Sequence, residues 1–190
     1  MRKLVYYIGI SIDGFIAGPD DEVDFFPMSD DYLQWMGSEY GDALPAHVRA
    51  QFGIADAPLT KFDTILMGRR TYDPALAADI TSPYPHLTQY VVSRSHRSDD
   101  PAITVIRDEP DVAVEQLKAE NSGLDIYLAG GGALAGQLLP LIDELVIKTY
   151  PVVAGAGRPA FVSGFSPTQF DLADVRTFSG GNVVSTYSRK

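Results

Sequence analysis

Ile126-Tyr127-Leu128-Ala129-Gly130-Gly131-Gly132-Ala133-Leu134 is the stretch on which the reading of this chain turns. Its first four residues form a short apolar run, the mark of a buried strand. Gly130, Gly131 and Gly132 follow, and from Ala133 the pattern is helical to Leu139, where Pro140 stops it. Glycines between a strand and a helix have two uses. They let the backbone approach a ligand, with the helix N-terminus offering unpaired N–H groups to phosphate. They also permit a tight turn with close helix–sheet packing. Gly130 to Ala135 fits G-x-G-x-x-A. A Rossmann fingerprint, however, opens the first βα turn and carries an acid about 20 residues on. Here the motif comes late, and position 150 is Tyr150, so that reading is rejected.

Outward from this turn, two more strand ends carry anion chemistry. Thr64 to Met67 reads as a strand, and Gly68-Arg69-Arg70-Thr71 turns it into a helix, with two guanidinium forks and a hydroxyl at the turn. Gln89 to Ser93 reads as a strand, and Val92-Ser93-Arg94-Ser95 closes it with three further donors. Surface scatter explains any one of them. Three in one sheet point to a common crevice, because strand C-termini line one edge of a parallel α/β sheet.

The remaining strands are Leu4–Ile8, Ala102–Ile106, Glu144–Val153, Phe170–Thr177 and Val183–Ser188. Helices are expected after Ser29, over Ala43–Ile54, over Thr71–Ala78 with Pro74 in its first turn, and over Asp111–Glu120. Gly9 to Asp24 reads as loop, and Ser179-Gly180-Gly181-Asn182 as a hairpin turn. The alternating middle implies parallel strands with crossover helices, and the final hairpin adds antiparallel strands. The expectation is one α/β domain over residues 1–190. Its core is a mixed, mostly parallel eight-stranded sheet flanked by helices.

Composition limits the function. The 190 residues carry 15 Lys+Arg against 25 Asp+Glu, a net −10, which disfavours a general nucleic-acid binder. Yet residues 64–98 are locally basic, with Arg69, Arg70, Arg94 and Arg97 outnumbering Asp73 and Asp79. No cysteine is present, and His47, His86 and His96 do not fall at ligand spacing, so no metal site is expected. The three histidines read as surface residues. No apolar run approaches a membrane span, and no signal-peptide pattern opens the chain, so a cytoplasmic protein is expected. No G-x-S-x-G elbow and no calcium loop appear.

Taken in order, Ser11-Ile12-Asp13-Gly14-Phe15-Ile16-Ala17, Met67-Gly68-Arg69-Arg70-Thr71-Tyr72, Val92-Ser93-Arg94, Gly130-Gly131-Gly132 and Asp143-Glu144-Leu145 resemble the motifs of dihydrofolate-reductase-like proteins. The first motif, with Pro151-Val152-Val153-Ala154-Gly155-Ala156-Gly157, is similar to the branch holding the reductase domain of the bifunctional riboflavin-biosynthesis deaminase/reductase. The resemblance implies an enzyme that binds NADPH in an extended pose and reduces a small heterocyclic or sugar-like substrate. It places Ala17 near the nicotinamide. Arg69, Ser93 and Arg94 would face the 2′-phosphate, with Gly68, Val92 and Ser95 beside them. Arg70 and Thr71 would approach the pyrophosphate. Gly130, Gly131, Gly132, Ala133 and Leu134 would cradle phosphate, with a cis peptide between Gly130 and Gly131. It also implies pairing as a homodimer, to which the aromatic-rich strands near the C-terminus offer a surface.

The catalytic residue stays open. Dihydrofolate reductases carry an acid on the first helix, and Asp30 and Asp31 are the candidates here, although helix-dipole charge explains both. The deaminase zinc site needs cysteines and is not expected. Alternatives are a true dihydrofolate reductase, a non-catalytic nucleotide-binding protein on the same fold, and a structural subunit that binds no cofactor.

Overall fold

Apolar side chains on both faces of Leu4–Ile10 decide where the first strand sits. Leu4 and Tyr6 point one way and Val5 and Tyr7 the other, and all four are buried. A strand covered on both faces belongs inside a sheet flanked by helices. In the computed structural model, which describes residues 1–190, this strand (β1) is a central member of an eight-stranded sheet. The other strands in chain order are β2 (Phe15–Ala17), β3 (Phe62–Gly68), β4 (Thr88–Val92), β5 (Ile103–Ile106), β6 (Asp125–Gly130), β7 (Glu144–Thr149), β8 (Arg158–Pro159), β9 (Phe170–Thr177) and β10 (Val183–Arg189). The main sheet runs β5-β4-β3-β6-β1-β7-β10-β9. Its first six strands are parallel, and the terminal hairpin is antiparallel.

Helices cover the two faces. α1 (Asp30–Glu39) and α3 (Arg69–Ala77) place Tyr32 and Tyr72 on a core with Val5, Tyr7, Phe62, Met67, Val91, Tyr127 and Val146. α4 (Pro110–Ala119) and α5 (Gly132–Gln137) pack Val114, Leu117, Leu134 and Leu138 against Leu4, Tyr6, Leu66, Ile126 and Leu128. The short α2 (Ala46–Gln51) carries Arg49, buried and 3.8 Å from the carboxylate of Asp42. Arg49 also donates to the carbonyls of Gly41 (2.8 Å) and Ala57 (2.9 Å). Asp42 in turn accepts the amides of Thr60, Lys61 and Phe62, which fixes the entry into β3. A buried guanidinium is tolerated because its charge and most of its donors are met.

The eight sheet strands match the sequence reading, and their ends differ in instructive ways. β7 stops at Thr149 rather than Val153, because Pro151 has no N–H for the ladder and the chain turns away. α3 starts at Arg69, so Pro74 is its sixth residue and not in its first turn. The stretch from Ala43 to Ile54 is a 3₁₀ turn (Gly41–Ala43) followed by α2, not one helix. Ser29 is the N-cap of α1, but its hydroxyl turns to Asp31 instead of capping an amide. β2 and β8 pair with each other in a stretch read as loop. Strands of three and two residues are too short to show alternation.

The β2–β8 ribbon and the chain after it close over α5. The carbonyls of Pro159 and Val162 lie where side chains at Gly132 and Gly136 would be, and Val162 N bonds Gly132 O at 2.9 Å. Tyr6 Oη donates to Ala160 O at 2.9 Å from below. Gly136→Val is expected to cost about 1–3 kcal/mol or more, as overpacking does, and to loosen residues 159–162. Urea unfolding and amide exchange would measure both. Gly164→Ala, with open space around its Cβ position, should leave stability unchanged.

Candidate nucleotide site at the strand ends

Three segments meet where β3, β4 and β6 end. Gly68 lies opposite Val92 in the ladder, and Met67 opposite Gly130. A Cβ on Gly68 would sit 3.1 Å from Gly130 O and 3.3 Å from Gly131 N, so the two turns are in backbone contact. The Gly130–Gly131 peptide is cis, as the family resemblance implies. Gly130 has φ +102°, a conformation that favours glycine. Gly131, by contrast, has φ −87° and room for a Cβ, 3.6 Å from Ile16 Cδ1 and 3.8 Å from Thr71 Oγ1. It therefore floors a narrow cleft between β2 and the start of α3. Gly132 is closed off by Pro159, and Leu134 points into the core, so it can offer a ligand only its backbone. Ala133 is exposed beside them. Ala17 is buried in β2, opposite Arg158.

A basic rim extends from this cleft along the same sheet edge. Arg69 is held between two partners: its Nε donates to Asp73 and its Nη1 reaches His96 Nδ1 at 3.0 Å. The amide of His96 donates to Ser93 Oγ at 3.0 Å. Arg70, Arg94 and Ser95 are exposed, and Arg70, Arg94, Arg97 and Arg107 have no carboxylate partner. Such free guanidinium groups can meet a polyanion without first breaking an ion pair.

Two residues here escaped the sequence reading. His96 was expected at the surface, but its ring packs edge-on against Tyr72, 5.5 Å between centroids. Burial, followed by the charges of Arg69 and, more weakly, Arg107, holds its pKa below the usual value. The imidazole is then neutral at pH 7. Because Nδ1 accepts from Arg69, the proton sits on Nε2, which is buried without a partner. Arg107 follows β5 as Arg69 follows β3 and Arg94 follows β4. A cation after each of three successive strands was the available signal.

The candidate acids do not converge on the cleft. Asp30 is exposed at the start of α1 with no hydrogen-bond partner. Asp31 is a clamp: it accepts the amide of Ser179 at 2.8 Å, the hydroxyl of Ser179 at 2.9 Å and its neighbour's amide at 3.0 Å. These bonds, with that from Ser29, hold its pKa down to about 2. Asp31 thus joins α1 to the β9–β10 turn, a role beyond helix-dipole charge.

Comparison with known proteins follows this geometry. The profile of the RibD C-terminal domain matches residues 2–184. The chain belongs to that family. A putative riboflavin biosynthesis protein from Shewanella sp. PV-4 superposes over all of this chain and 99% of its own, with TM-score 0.71 and 23% identity. A deaminase/5-amino-6-(5-phosphoribosylamino)uracil reductase from Thermotoga maritima superposes over all of this chain and 57% of its own, with TM-score 0.65 and 12% identity. Both likenesses are of fold. In sequence, the uncharacterized Bacillus subtilis proteins YyaP and YwjB are 29% and 31% identical, over 98% and 93% of this chain and 94% and 92% of theirs. No helix of this RibD C-terminal domain protein is long and apolar enough to cross a membrane.

The Asp31 clamp has a pH signature. Its folded pKa is depressed below the free value of 3.8, so its stabilisation is present above about pH 4 and lost as pH falls towards 2. Asp31→Asn is expected to lower the urea midpoint at pH 7 and to make its fall between pH 4 and 2 shallower than in the wild type. Denaturation series at fixed ionic strength would check this.

Proposed function

We propose that this protein is an NADPH-dependent oxidoreductase that delivers hydride to a small heterocyclic or sugar-like acceptor. The acceptor would be of the kind named in the Thermotoga reductase. The observation that carries the reading is a juxtaposition. A glycine-floored cleft lies on the same sheet edge as a row of guanidinium groups without carboxylate partners, in a protein of net charge −10. Membership of the RibD C-terminal domain family points the same way.

The residues fit a dinucleotide. Gly131, between Ile16 and Thr71, gives a phosphate access to backbone N–H groups that a side chain would cover. Gly68, Gly130, Gly132, Ala133 and Leu134 would hold the pyrophosphate from the backbone, with Thr71 and Arg70 from the start of α3. Arg69, Ser93, Arg94 and Ser95 would surround the 2′-phosphate at the end of Val92, joined by His96 Nε2 and Arg107. Ala17, behind Ile16, would border the nicotinamide. NADPH supplies the hydride; the protein binds, orients and excludes water. The engagement of Asp31 with Ser179 removes Asp31 as the free helix acid that a true dihydrofolate reductase needs, which leaves Asp30 alone for that role.

Gly131→Ala tests the cleft cleanly, because the added Cβ makes only ordinary contacts with the protein. The variant should fold normally and lose NADPH affinity by about tenfold, or about 1.4 kcal/mol, in calorimetric titration. Unchanged affinity would remove the phosphate role from this turn.

The rim makes a separate prediction. Charge-assisted bonds contribute about 1.5–3 kcal/mol each, so NADPH should be preferred to NADH by at least about tenfold at low ionic strength. Salt should shrink the preference. Arg69→Ala with Arg94→Ala should erase most of it while scarcely changing NADH binding. Equal wild-type affinities would overturn the rim assignment, and binding of neither cofactor would overturn the reductase reading.

A further inference from the structure

Hydride delivery to a C=N or C=O bond needs a proton for the heteroatom, and neither Asp30 nor Asp31 is placed to give one. The search for a donor leads two strands from the glycine turn. A Cβ on Gly130 would touch Ile8 Cδ1 at 3.8 Å, and Ile8 pairs with Ile147. The next ladder pair is Gly9 with Lys148, near the C-terminal ends of β1 and β7. Lys148 lies opposite Gly9 on one side and Val184 on the other, so no neighbouring strand offers it a carboxylate. Its Nζ makes no hydrogen bond or ion pair and stands 3.6 Å from the centroid of the Tyr7 ring.

The surroundings of this amine are aromatic. Tyr7 stacks on Tyr40 at 4.5 Å, and Trp35 of α1 contacts Tyr40 and Phe178 at 5.3 and 5.4 Å. Tyr150 fills the space left by Gly9 and shares a hydrogen bond of 2.9 Å with Tyr32. Two donors in this cluster, Tyr7 Oη and Trp35 Nε1, are buried with no partner. The charged groups that approach the cluster stand around Tyr40: Lys61, whose Nζ lies 4.8 Å from the ring centroid, Glu144 from β7, Glu39 from α1, and Asp174 and Arg176 from β9. None of them offsets the burial of Lys148, which pushes its ammonium down to about 7. The tyrosines are pushed upward by the same burial and remain protonated.

We propose that Lys148 is the proton donor of the reduction, acting on a planar unsaturated acceptor received among Tyr7, Trp35 and Tyr40. This rests on the reductase reading above. In the step, the acceptor carbon gains hydride, the π-bond electron pair moves to the heteroatom, and the heteroatom takes the Nζ proton. The hydride source is oxidised from NADPH to NADP⁺, and water returns a proton to the neutral amine. Free donors on aromatic walls suit an acceptor rich in carbonyl and ring-nitrogen lone pairs, such as a uracil.

Acetic anhydride labelling of the wild-type protein, followed by mass spectrometry across pH, reads the amine directly. Lys148 should label with a midpoint near pH 7. Lys3, paired with Glu144 and shifted upward from 10.5, serves as the internal contrast. A midpoint near that of an ordinary lysine would overturn the proposal. So would no labelling at any pH, since Nζ would then be out of reach of any small molecule. Saturating 5-amino-6-(5-phosphoribosylamino)uracil should slow labelling at Lys148 and not at Lys190; equal rates would also overturn it. Lys148→Met should keep NADPH affinity, read by the fluorescence of Trp35, the only tryptophan. It should lose turnover of that probe by about a hundredfold or more. Lys148→Arg should bind the probe but show neither turnover nor the wild-type inflection near pH 7. Wild-type turnover in Lys148→Met would overturn the proton-donor role. Absence of NADPH binding in the wild type, with Lys148 still titrating near 7 and protected by the probe, would overturn the reductase reading instead.

Discussion

Backbone packed on backbone is the constraint from which the rest of this structure follows. At Gly68, Gly132 and Gly136 a side chain would press on main-chain atoms of a neighbouring segment. These contacts bring β3 and β6 together at their ends and lay the β2–β8 ribbon over α5. Side chains would crowd the backbone mildly at Gly68 and severely at Gly132 and Gly136, where a carbonyl oxygen lies 2.1 and 2.0 Å from the Cβ position, closer than a close-packed interior can absorb. The same absence of side chains leaves a cleft at Gly131, where there is room and no backbone neighbour. One glycine run therefore serves both packing and access. The two glycines differ in what faces them: Gly132 is closed by the backbone of Pro159, and Gly131 is not closed by backbone.

Charge is distributed by the same logic of burial. Arg2 and Arg49 are buried and held by several partners each, Arg2 by Asp63, Thr64, Glu120 and the carbonyl of Leu124, and Arg49 by Asp42 and two carbonyls, with its Nε alone left unpartnered. They join strand entries to their covering elements at the N-terminal side of the sheet. At the opposite edge, Arg70, Arg94, Arg97 and Arg107 are left without carboxylates, and Arg69 shares itself between Asp73 and His96. An acidic protein that leaves these cations unneutralised concentrates positive potential at one edge. Lys148 stands apart from both groups: it is a cation placed among aromatic rings, whose π faces attract it while burial weakens its hold on the proton.

Much of the fold was legible because each strand is bounded by residues that punctuate. Gly68 and Gly130 end β3 and β6, and the Ser179–Asn182 turn separates β9 from β10. The alternation of strand and helix then dictates parallel pairing with right-handed crossovers. The family motifs gave the nucleotide-site candidates, and the structure brings Ile16, Gly68, Thr71 and Gly131 into one cleft. Asp31, His96 and Lys148 were not legible. An aspartate at a helix start looks the same whether it faces solvent or Ser179. A histidine in a polar loop does not announce the tyrosine it will pack on. A lysine in Leu145-Val146-Ile147-Lys148-Thr149 occupies a position of strand alternation that does not distinguish an exposed face from an aromatic one.

The sequence by itself determined the strands, their parallel order of connection, the terminal hairpin and the glycine and arginine segments. These depend on local apolar runs and on residues with restricted or relaxed backbone freedom, which act within a few positions along the chain. Tertiary structure decided which glycine is open and which is filled, which arginine is paired, and what surrounds Lys148. Those properties belong to groups distant in the chain. Pro159 closes Gly132, Asp73 and His96 hold Arg69, and Tyr7, 141 residues before Lys148, supplies the ring under its amine. Desolvation and steric exclusion arise only when such segments are brought within a few ångströms, so no local pattern encodes them.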